Sequence, residues 1–418
     1  MTKSMDQDIP RCRVLWLSHF LPWPPKGGLL QRSYHLMREL SRYHEVHLVA
    51  FRQHAHQPDA AHVEEAKEAL SEFVTIRHVS NLPEDRTAGG RRILALRSLL
   101  PGLPYTIRWG LCGEYGEAVE TAIQDVRPEI IHFDTVSLAP YLEKSGNIPA
   151  TLTHHNVESH MLLRRAQQER SLPKKLYFYQ EGRRLARYER KVAHHFRLHL
   201  VCADLDGERL VRTVGPVRFE TVPNGVDLDY FKPMGKVHAQ QADTMVFVGG
   251  LSWYPNASAM RLFTEKIWPE VVVRRPEAEM RIIGADAPSD LIASSRSDQR
   301  IKVMGFVDDI RPIVADSMVY VCPIFDGGGT KLKMIDAMAM GKAIVAHPVA
   351  AEGLGLEHGR NVLLSDDPAM MAELCIRLFD DPGQRKALGA AARRRAESAF
   401  GFKAIGRSLA ITYRDFLS

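Results

Sequence analysis

One stretch constrains this 418-residue chain more than any other: Val319 to Pro348, VYVCPIFDGGGTKLKMIDAMAMGKAIVAHP. It reads as strand, glycine loop, helix, strand. An apolar strand from Val319 to Ile324 runs into Asp326-Gly327-Gly328-Gly329-Thr330. Apolar residues at Leu332, Ile335, Met338 and Ala339 then recur at helical spacing on one face. Gly341 stops the helix in a position that tolerates left-handed backbone, and Ala343 to Ala346 begins the next strand. Such a loop offers unpaired N–H groups and the positive end of a helix dipole. It is a ready site for a diphosphate or an electron-rich sugar hydroxyl. Lys331 and Lys333 add mobile positive charge in the first helical turn, where a structural helix favours acids. The plain alternative is an ordinary βαβ turn; three consecutive glycines and dipole-opposed lysines weigh against it.

The same rhythm opens the chain. Val14 to Ser18 reads as a buried strand, followed by the Pro/Gly loop His19 to Gly28, a helix from Gln31 to Leu40 and a strand from Glu45 to Phe51. Further strands are expected at Thr75 to Val79, Ile130 to Phe133, Thr151 to Thr153 and Leu198 to Ala203. Pro83 to Trp109 breaks the pattern and is expected to cover a core, with a membrane-facing patch as the alternative. The turn chemistry of Val222-Pro223-Asn224-Gly225-Val226-Asp227 marks a domain junction, and polar Gly235 to Thr244 reads as a loop. A second α/β series follows, with strands at Met245 to Val248, Met280 to Gly284, Lys302 to Val307, Val319 to Ile324 and Ala343 to Ala346. The segment from Gln384 to Ser418 is helical by composition. Two sequential doubly wound α/β halves are therefore expected. In such sheets ligands bind beyond the carboxyl ends of the strands, and a cleft between two halves is a natural site.

The formal net charge of +5 is too small to argue for nucleic acid. The excess is local: residues 151–200 carry eleven Lys/Arg against four Glu. Much of it lies in Ser171 to Lys191, where Tyr177, Phe178, Leu185 and Tyr188 interleave with cations. A basic helix of this kind fits an anionic bilayer surface, or else is a solvated helix with Glu–Arg pairs. The five cysteines are scattered without a CxxC pair, so neither disulfides nor a cysteine zinc site is expected, as in a reducing cytoplasm. The N-terminal stretch lacks the apolar core of a signal peptide, and no apolar run of 18 residues is present. The expected location is cytoplasmic, with peripheral contact to the inner face of the plasma membrane.

Several pieces, in order, give the chain a family likeness: Pro22-Trp23-Pro24-Pro25-Lys26-Gly27-Gly28, His154-His155-Asn156, VPNGVDLDYFKP from Val222, VFVGGL from Val246, GFVDD from Gly305, and the glycine loop with IDAMAMGKAIV. With them the chain resembles, nearly end to end, the retaining GT-B glycosyltransferases of the large family four. FVGGLSWYPN and GGGTKLKMIDAMA are similar to sugar transferases associated with PEP-CTERM/exosortase exopolysaccharide clusters. The resemblance implies an α/β GT-B architecture: two facing Rossmann-like, doubly wound domains with an interdomain cleft. Residues 1–222 would form the acceptor-side domain and 223–395 the nucleotide-sugar domain, with a helix at 396–418 packing back on the first. The implied donor residues are Gly249, Gly250, Phe306, Gly327, Gly328, Gly329, Thr330, Lys333 and Asp336. Asp336 stands where the family's second glutamate binds ribose hydroxyls, a task suited to a carboxylate. Gly27, Gly28, His154 and Asn156 would face the acceptor, while His155, Lys331 and Asp326 would carry the chemistry.

Two departures from the family pattern matter. Gly328, not Glu, stands eight positions before Asp336, and Asp326 offers a carboxylate at a spacing of ten. Gly250 stands where the family places an arginine, and no lysine follows until Lys266. Lys331, with Lys333, is the candidate replacement for holding the diphosphate. Asp227-Leu228-Asp229 spells a metal–diphosphate signature of a different fold, but after Pro-Asn-Gly it is expected to be a turn and cap. His194-His195 reads as a helix-end surface pair. His154-His155, ending a strand, is placed for function. No metal or other cofactor is expected. The expected activity is transfer of a sugar, with retention, from a nucleotide diphosphate sugar to a glycan or lipid-linked exopolysaccharide precursor. The alternatives are a degenerate subunit that binds nucleotide sugar or lipid carrier for a partner, and a GT-B-fold nucleotide-sugar epimerase.

Overall fold

The computed structural model describes residues 9–83, 90–98, 102–169, 171–235, 243–327 and 329–417. The chain divides into two compact units. The first comprises Met1–Pro223 and Lys403–Ser418; the second is Asn224–Phe402.

The first unit is built on seven strands: β1 (Arg13–Ser18), β2 (Glu45–Arg52), β3 (Thr75–Asn81), β4 (Ile130–Phe133), β5 (Ala150–His154), β6 (Leu198–Val201) and β7 (Phe219–Thr221). Their order is β3-β2-β1-β4-β5-β6-β7, all pairs parallel. The central strands are buried along nearly their whole length, and mostly apolar, because helices cover both faces. Leu15 and Leu17 point to a core shared with Val49, Phe51, Ile131, Phe133 and Leu152. On the opposite face of the sheet Trp16 stacks on His132 at 3.6 Å.

The second unit repeats the plan with β8 (Thr244–Val248), β9 (Glu279–Ile283), β10 (Ile301–Gly305), β11 (Val319–Cys322), β12 (Ala343–Ala346) and β13 (Leu363–Leu364). The order is β10-β9-β8-β11-β12-β13, again parallel throughout. In each sheet the order reverses once, between β1 and β4 and between β8 and β11. Those reversals are where a doubly wound sheet opens a crevice at its carboxyl edge. The strands expected from sequence are present within two residues at nearly every end; β7 and β13, short edge strands, were not expected.

The Pro83 to Trp109 stretch supplies helices Gly90–Ser98 and Tyr105–Trp109, and Ile107 is fully buried in the first unit's core. The expected loop at 235–244 lies mostly outside the described residues. In the basic helix Leu172–Ala193, Arg184 departs from the reading of a solvent- or membrane-facing cation. Its guanidinium bonds Glu181, the Ser98 carbonyl, and the carbonyls of Gly102 (3.0 Å) and Leu103 (3.2 Å). It is a staple between segments. Leu185 is core, Tyr177 bonds Ser98, and Phe178 lies under Arg165 at 4.0 Å. Arg183, Arg187 and Lys191 remain exposed, as do Leu172, Leu176 and Tyr179. No helix among the described residues is long and apolar enough to cross a membrane.

Residues 403–418 return to the first unit through helix Phe402–Leu417. Tyr413 is fully buried, its hydroxyl 2.5 Å from His132 Nδ1. Gly406 permits the approach: a Cβ there would lie 2.2 Å from Glu39 Cβ and 3.3 Å from its backbone. A backbone neighbour cannot swing aside. Gly406→Val should therefore lower stability by about 1–3 kcal/mol through overpacking, although valine suits a helix better than glycine. Thermal unfolding would read this as a lower Tm; an unchanged or higher Tm would contradict the packing.

Candidate functional site

The carboxyl edge of the second sheet at its reversal gathers most of the donor residues expected from sequence. β8 ends in Gly249-Gly250, and Gly249 N–H donates to the Ile283 carbonyl at 2.8 Å. Helix Tyr254–Leu262 starts just after, and Asn256 in its first turn donates to the Gly250 carbonyl at 2.7 Å. From the other side, helix Leu332–Ala339 begins where the glycine loop ends. Its second residue, Lys333, extends its ammonium to the Asn256 side-chain oxygen and over the Phe247 ring at 4.8 Å. A Cβ on Gly249 would fall 2.3 Å from that ammonium. Glycine at 249 is thus the space the charge occupies. Burial brings the Lys333 amine down to about 8. Asp336, one turn along, lines a small cavity with Lys333 and Tyr320.

The loop itself is bound to its surroundings. Gly327 and Gly329 have positive φ, 107° and 67°, which only glycine adopts without strain. Lys331 caps the following helix instead of lying in its first turn. Its ammonium donates to the Gly329 carbonyl at 2.7 Å and the Gly327 carbonyl at 3.2 Å. The expectation of a mobile charge is thereby corrected for Lys331: it folds back to hold the loop. Thr330 is buried, its hydroxyl accepting from Asn224 at 2.6 Å. Asp326 is buried within the same loop. Gly328 lies outside the described residues. Gly250 and Phe306 are exposed, the latter by 67%. Asp227 caps a turn as expected, accepting from the N–H groups of Asp229 (3.0 Å) and Tyr230 (3.1 Å). No metal-binding group of His, Cys, Asp and Glu occurs among the described residues.

A second cluster stands at the reversal of the first sheet. Asp134 follows β4 directly and is 1% exposed. Ser33 donates to both of its oxygens at 3.1 and 3.2 Å, and Ser18 to one at 3.3 Å. His155 Nε2 lies 3.3 Å from one oxygen, His19 Nδ1 3.7 Å from the other. Burial alone would raise the Asp134 carboxyl; His155, His132 and His19 outweigh it and hold the carboxyl well below the usual range. Burial drives His19 down to about 3, so its ring is neutral. Glu158, which accepts from Thr135 at 2.9 Å, is raised by burial. Of the expected acceptor residues, Gly27 holds positive φ (87°) before helix Gly28–Leu40, and Asn156 is half-buried beside His155. His154 does not belong with them. Its ring is buried and bonded to His199 at 2.9 Å across the β5–β6 pair, because strand alternation sends it to the face opposite Thr153, which bonds His132 at 3.2 Å.

Sequence reasoning missed Asp134 and Asn256. The signal for Asp134 was present: a polar residue directly after an apolar strand expected to end at a ligand-bearing edge. Asn256 carried no signal until Lys333 was seen to need a neutral acceptor.

Comparison with known proteins agrees with this geometry. The family model described as Glycosyltransferase Family 4 matches residues 26–230, and the one described as Glycosyl transferases group 1 matches residues 242–381. A GDP-mannose-dependent monoacylated alpha-(1-6)-phosphatidylinositol monomannoside mannosyltransferase of Corynebacterium glutamicum is 25% identical over 210 residues, 46% of this chain and 55% of that one. A phosphatidyl-myo-inositol mannosyltransferase of Mycobacterium tuberculosis is 30% identical over 135 residues, 31% of this chain and 35% of that one. The chain thus spans from about a third to just over half the length of these relatives. Among solved structures, a sucrose-phosphate synthase from Thermosynechococcus elongatus aligns with TM-score 0.72 and 17% identity, over 97% of this chain and 99% of that one. Anabaena HepE, solved with UDP and glucose, aligns with TM-score 0.65 and 15% identity, over 96% and 99%. The fold is that of these two-sheet GT-B structures.

The Lys333 geometry makes a pH-dependent prediction. The amine titrates at about 8 in the folded chain, against 10.5 ordinarily. Between those values the unfolded chain holds more protons, so the stability contribution of this group rises with pH. Measured against Lys333→Met, the wild-type Tm should therefore improve between about pH 7 and about pH 10. Parallel Tm curves for the two proteins would mean that the ammonium is not desolvated.

Proposed function

Because this chain belongs to the group 1, family 4 glycosyltransferases, we propose that it transfers a sugar from a nucleotide diphosphate sugar to a glycan or lipid-linked exopolysaccharide precursor, with retention at the anomeric carbon. The observation that carries the reading is Lys333, a half-buried ammonium beside a side-chain-free Gly249 and at the start of a helix. The diphosphate gains negative charge as it leaves, and fixed dipoles and charge aimed at that position are usually the largest catalytic term. Lys333 and the N–H groups of Gly327, Gly329 and Thr330 supply them. Lys331 acts by holding the loop's carbonyls away from the phosphate. Asp336 accepts from the ribose hydroxyls, and Phe306 offers an exposed ring to the nucleotide. Asp326 is the buried carboxylate of the loop, in place to take part in the chemistry. Lys333 also supplies the charge that Gly250 cannot, which disfavours a subunit that only binds donor.

Donor identity is framed by the relatives: one is named for GDP-mannose, and one neighbouring structure holds UDP with glucose. The reaction needs no metal, since the diphosphate's charge is met by the chain itself. The acceptor is lipid-linked, and the chain works at an anionic membrane surface through Arg183, Arg187 and Lys191, helped by the exposed Leu172, Leu176 and Tyr179.

Three measurements test this reading. Donor turnover is scored on UDP-glucose and GDP-mannose. Lys333→Ala should lower kcat/KM at least about tenfold, since a charged hydrogen bond contributes about 1.5–3 kcal/mol; wild-type kinetics in that variant would remove Lys333 from the site. Turnover should survive EDTA, and loss with rescue by manganese would show a metal requirement. In sedimentation with phosphatidylglycerol vesicles, binding should weaken at high salt and be abolished by reversing Arg183, Arg187 and Lys191. A reversal variant that still sediments, or a wild type that never does, would leave the helix a solvated face.

A further inference from the structure

The geometry assigns Asp134 as the positioning residue of His155, fixing the imidazole with its proton on Nε2 so that Nδ1 stays open as a hydrogen-bond acceptor for a substrate hydroxyl. Three observations carry this. The Asp134 carboxylate is ionised and almost fully buried, and a carboxylate can only accept. The ring nitrogen that faces it must therefore carry the proton, and that nitrogen is His155 Nε2, 3.3 Å from Oδ1. In this structure the approach is an ion-pair contact without hydrogen-bond alignment, as is common before substrate arrives. Second, the other two imidazoles near the carboxylate are otherwise occupied or farther away. His132 Nε2 is 3.9 Å from it, bonds Thr153 at 3.2 Å and gives its other nitrogen to Tyr413. His19 is 3.7 Å away and neutral. Third, the His155 side chain is only 10% exposed, yet neither ring nitrogen makes a hydrogen bond among the described residues: Nε2 has the Asp134 carboxylate beside it, and Nδ1 is left for a ligand.

A buried, unpartnered acceptor is costly unless a ligand completes it. The partner it fits is a hydroxyl, as on a sugar. The serines complete the device: Ser33 donates to both carboxylate oxygens and Ser18 to one, which holds the carboxylate in place beside the ring. An imidazole oriented by a carboxylate through one nitrogen acts through the other, and the carboxylate sets which tautomer is present. This assignment rests on the transferase reading only for the nature of the hydroxyl; the tautomer belongs to the free protein.

The test uses histidine-labelled full-length protein and long-range nitrogen NMR at about pH 8.5, in the neutral range of an ordinary imidazole. His155 is identified by the resonance lost in His155→Asn. The expected spectrum shows Nε2 protonated and Nδ1 unprotonated, and Asp134→Asn should move the proton to Nδ1. A wild-type Nδ1–H form, a doubly protonated ring, or a tautomer indifferent to Asp134→Asn would overturn the assignment. If Asp134→Asn does not fold, the wild-type spectrum decides alone. The kinetic arm uses hydrolysis of UDP-glucose or GDP-mannose, whichever is turned over. Asp134→Asn should lower kcat at least about tenfold with donor KM within about twofold, the pattern of a lost transition-state contact. In a His155→Asn background the same change should cost less than about threefold, because coupled residues are not additive. Losses that multiply in full would make Asp134 merely structural. Turnover of neither donor would count against the transferase reading and leave the NMR result standing.

Discussion

Parallel strands can be joined only by crossovers, and each right-handed crossover lays its helix on one face of the sheet. A sheet that grows outward in both directions from its first strand must therefore send neighbouring crossovers to opposite faces. Between β1 and β4, and again between β8 and β11, the chain parts and leaves a crevice at the carboxyl edge. The two clusters that gather the candidate site residues stand at those two places. Ser18, His19 and Asp134 flank the first; Gly249, Gly250 and the 326–330 loop flank the second.

At the second reversal the constraint becomes electrostatic. An ammonium withdrawn from water needs compensating dipoles, or it sheds its proton. Lys333 receives a side-chain oxygen from Asn256 and the face of Phe247, and Gly249 gives it room. Burial lowers its proton affinity, and these contacts keep it charged near neutrality. They are less than an anionic ligand would supply. The positive charge at this edge stands on the helix after β11, while position 250 in the loop after β8 is a glycine.

Much of this was legible in the sequence, for a physical reason. Strands buried on both faces must be largely apolar, so β1, β4, β8, β11 and β12 announced themselves within a residue or two. The glycine loop announced itself because three consecutive glycines suit backbone that other residues would strain, and two of them do adopt positive φ. Side-chain direction was not legible. Lys331 and Lys333 look equivalent in a string of letters, but one folds back on the loop's carbonyls and the other reaches across to β8. His154 and His155 look like a pair, but His154 ends β5 with its ring on His199, and His155, just past the strand, is the one that meets Asp134. Arg184 looked like one more surface cation until Glu181 and three carbonyls closed around it. The edge strands β7 and β13 were too short to show a pattern.

The central claim is that Lys333 meets a diphosphate. Calorimetric titration of UDP against UMP, and of GDP against GMP, isolates that contact, because each pair differs by one phosphate. For whichever base binds, the diphosphate should bind at least about tenfold more tightly to the wild type, the value of one charge-assisted hydrogen bond. Lys333→Met should bring the two affinities together while leaving the monophosphate nearly unchanged. A diphosphate preference that survives Lys333→Met intact would contradict the account and place the diphosphate elsewhere.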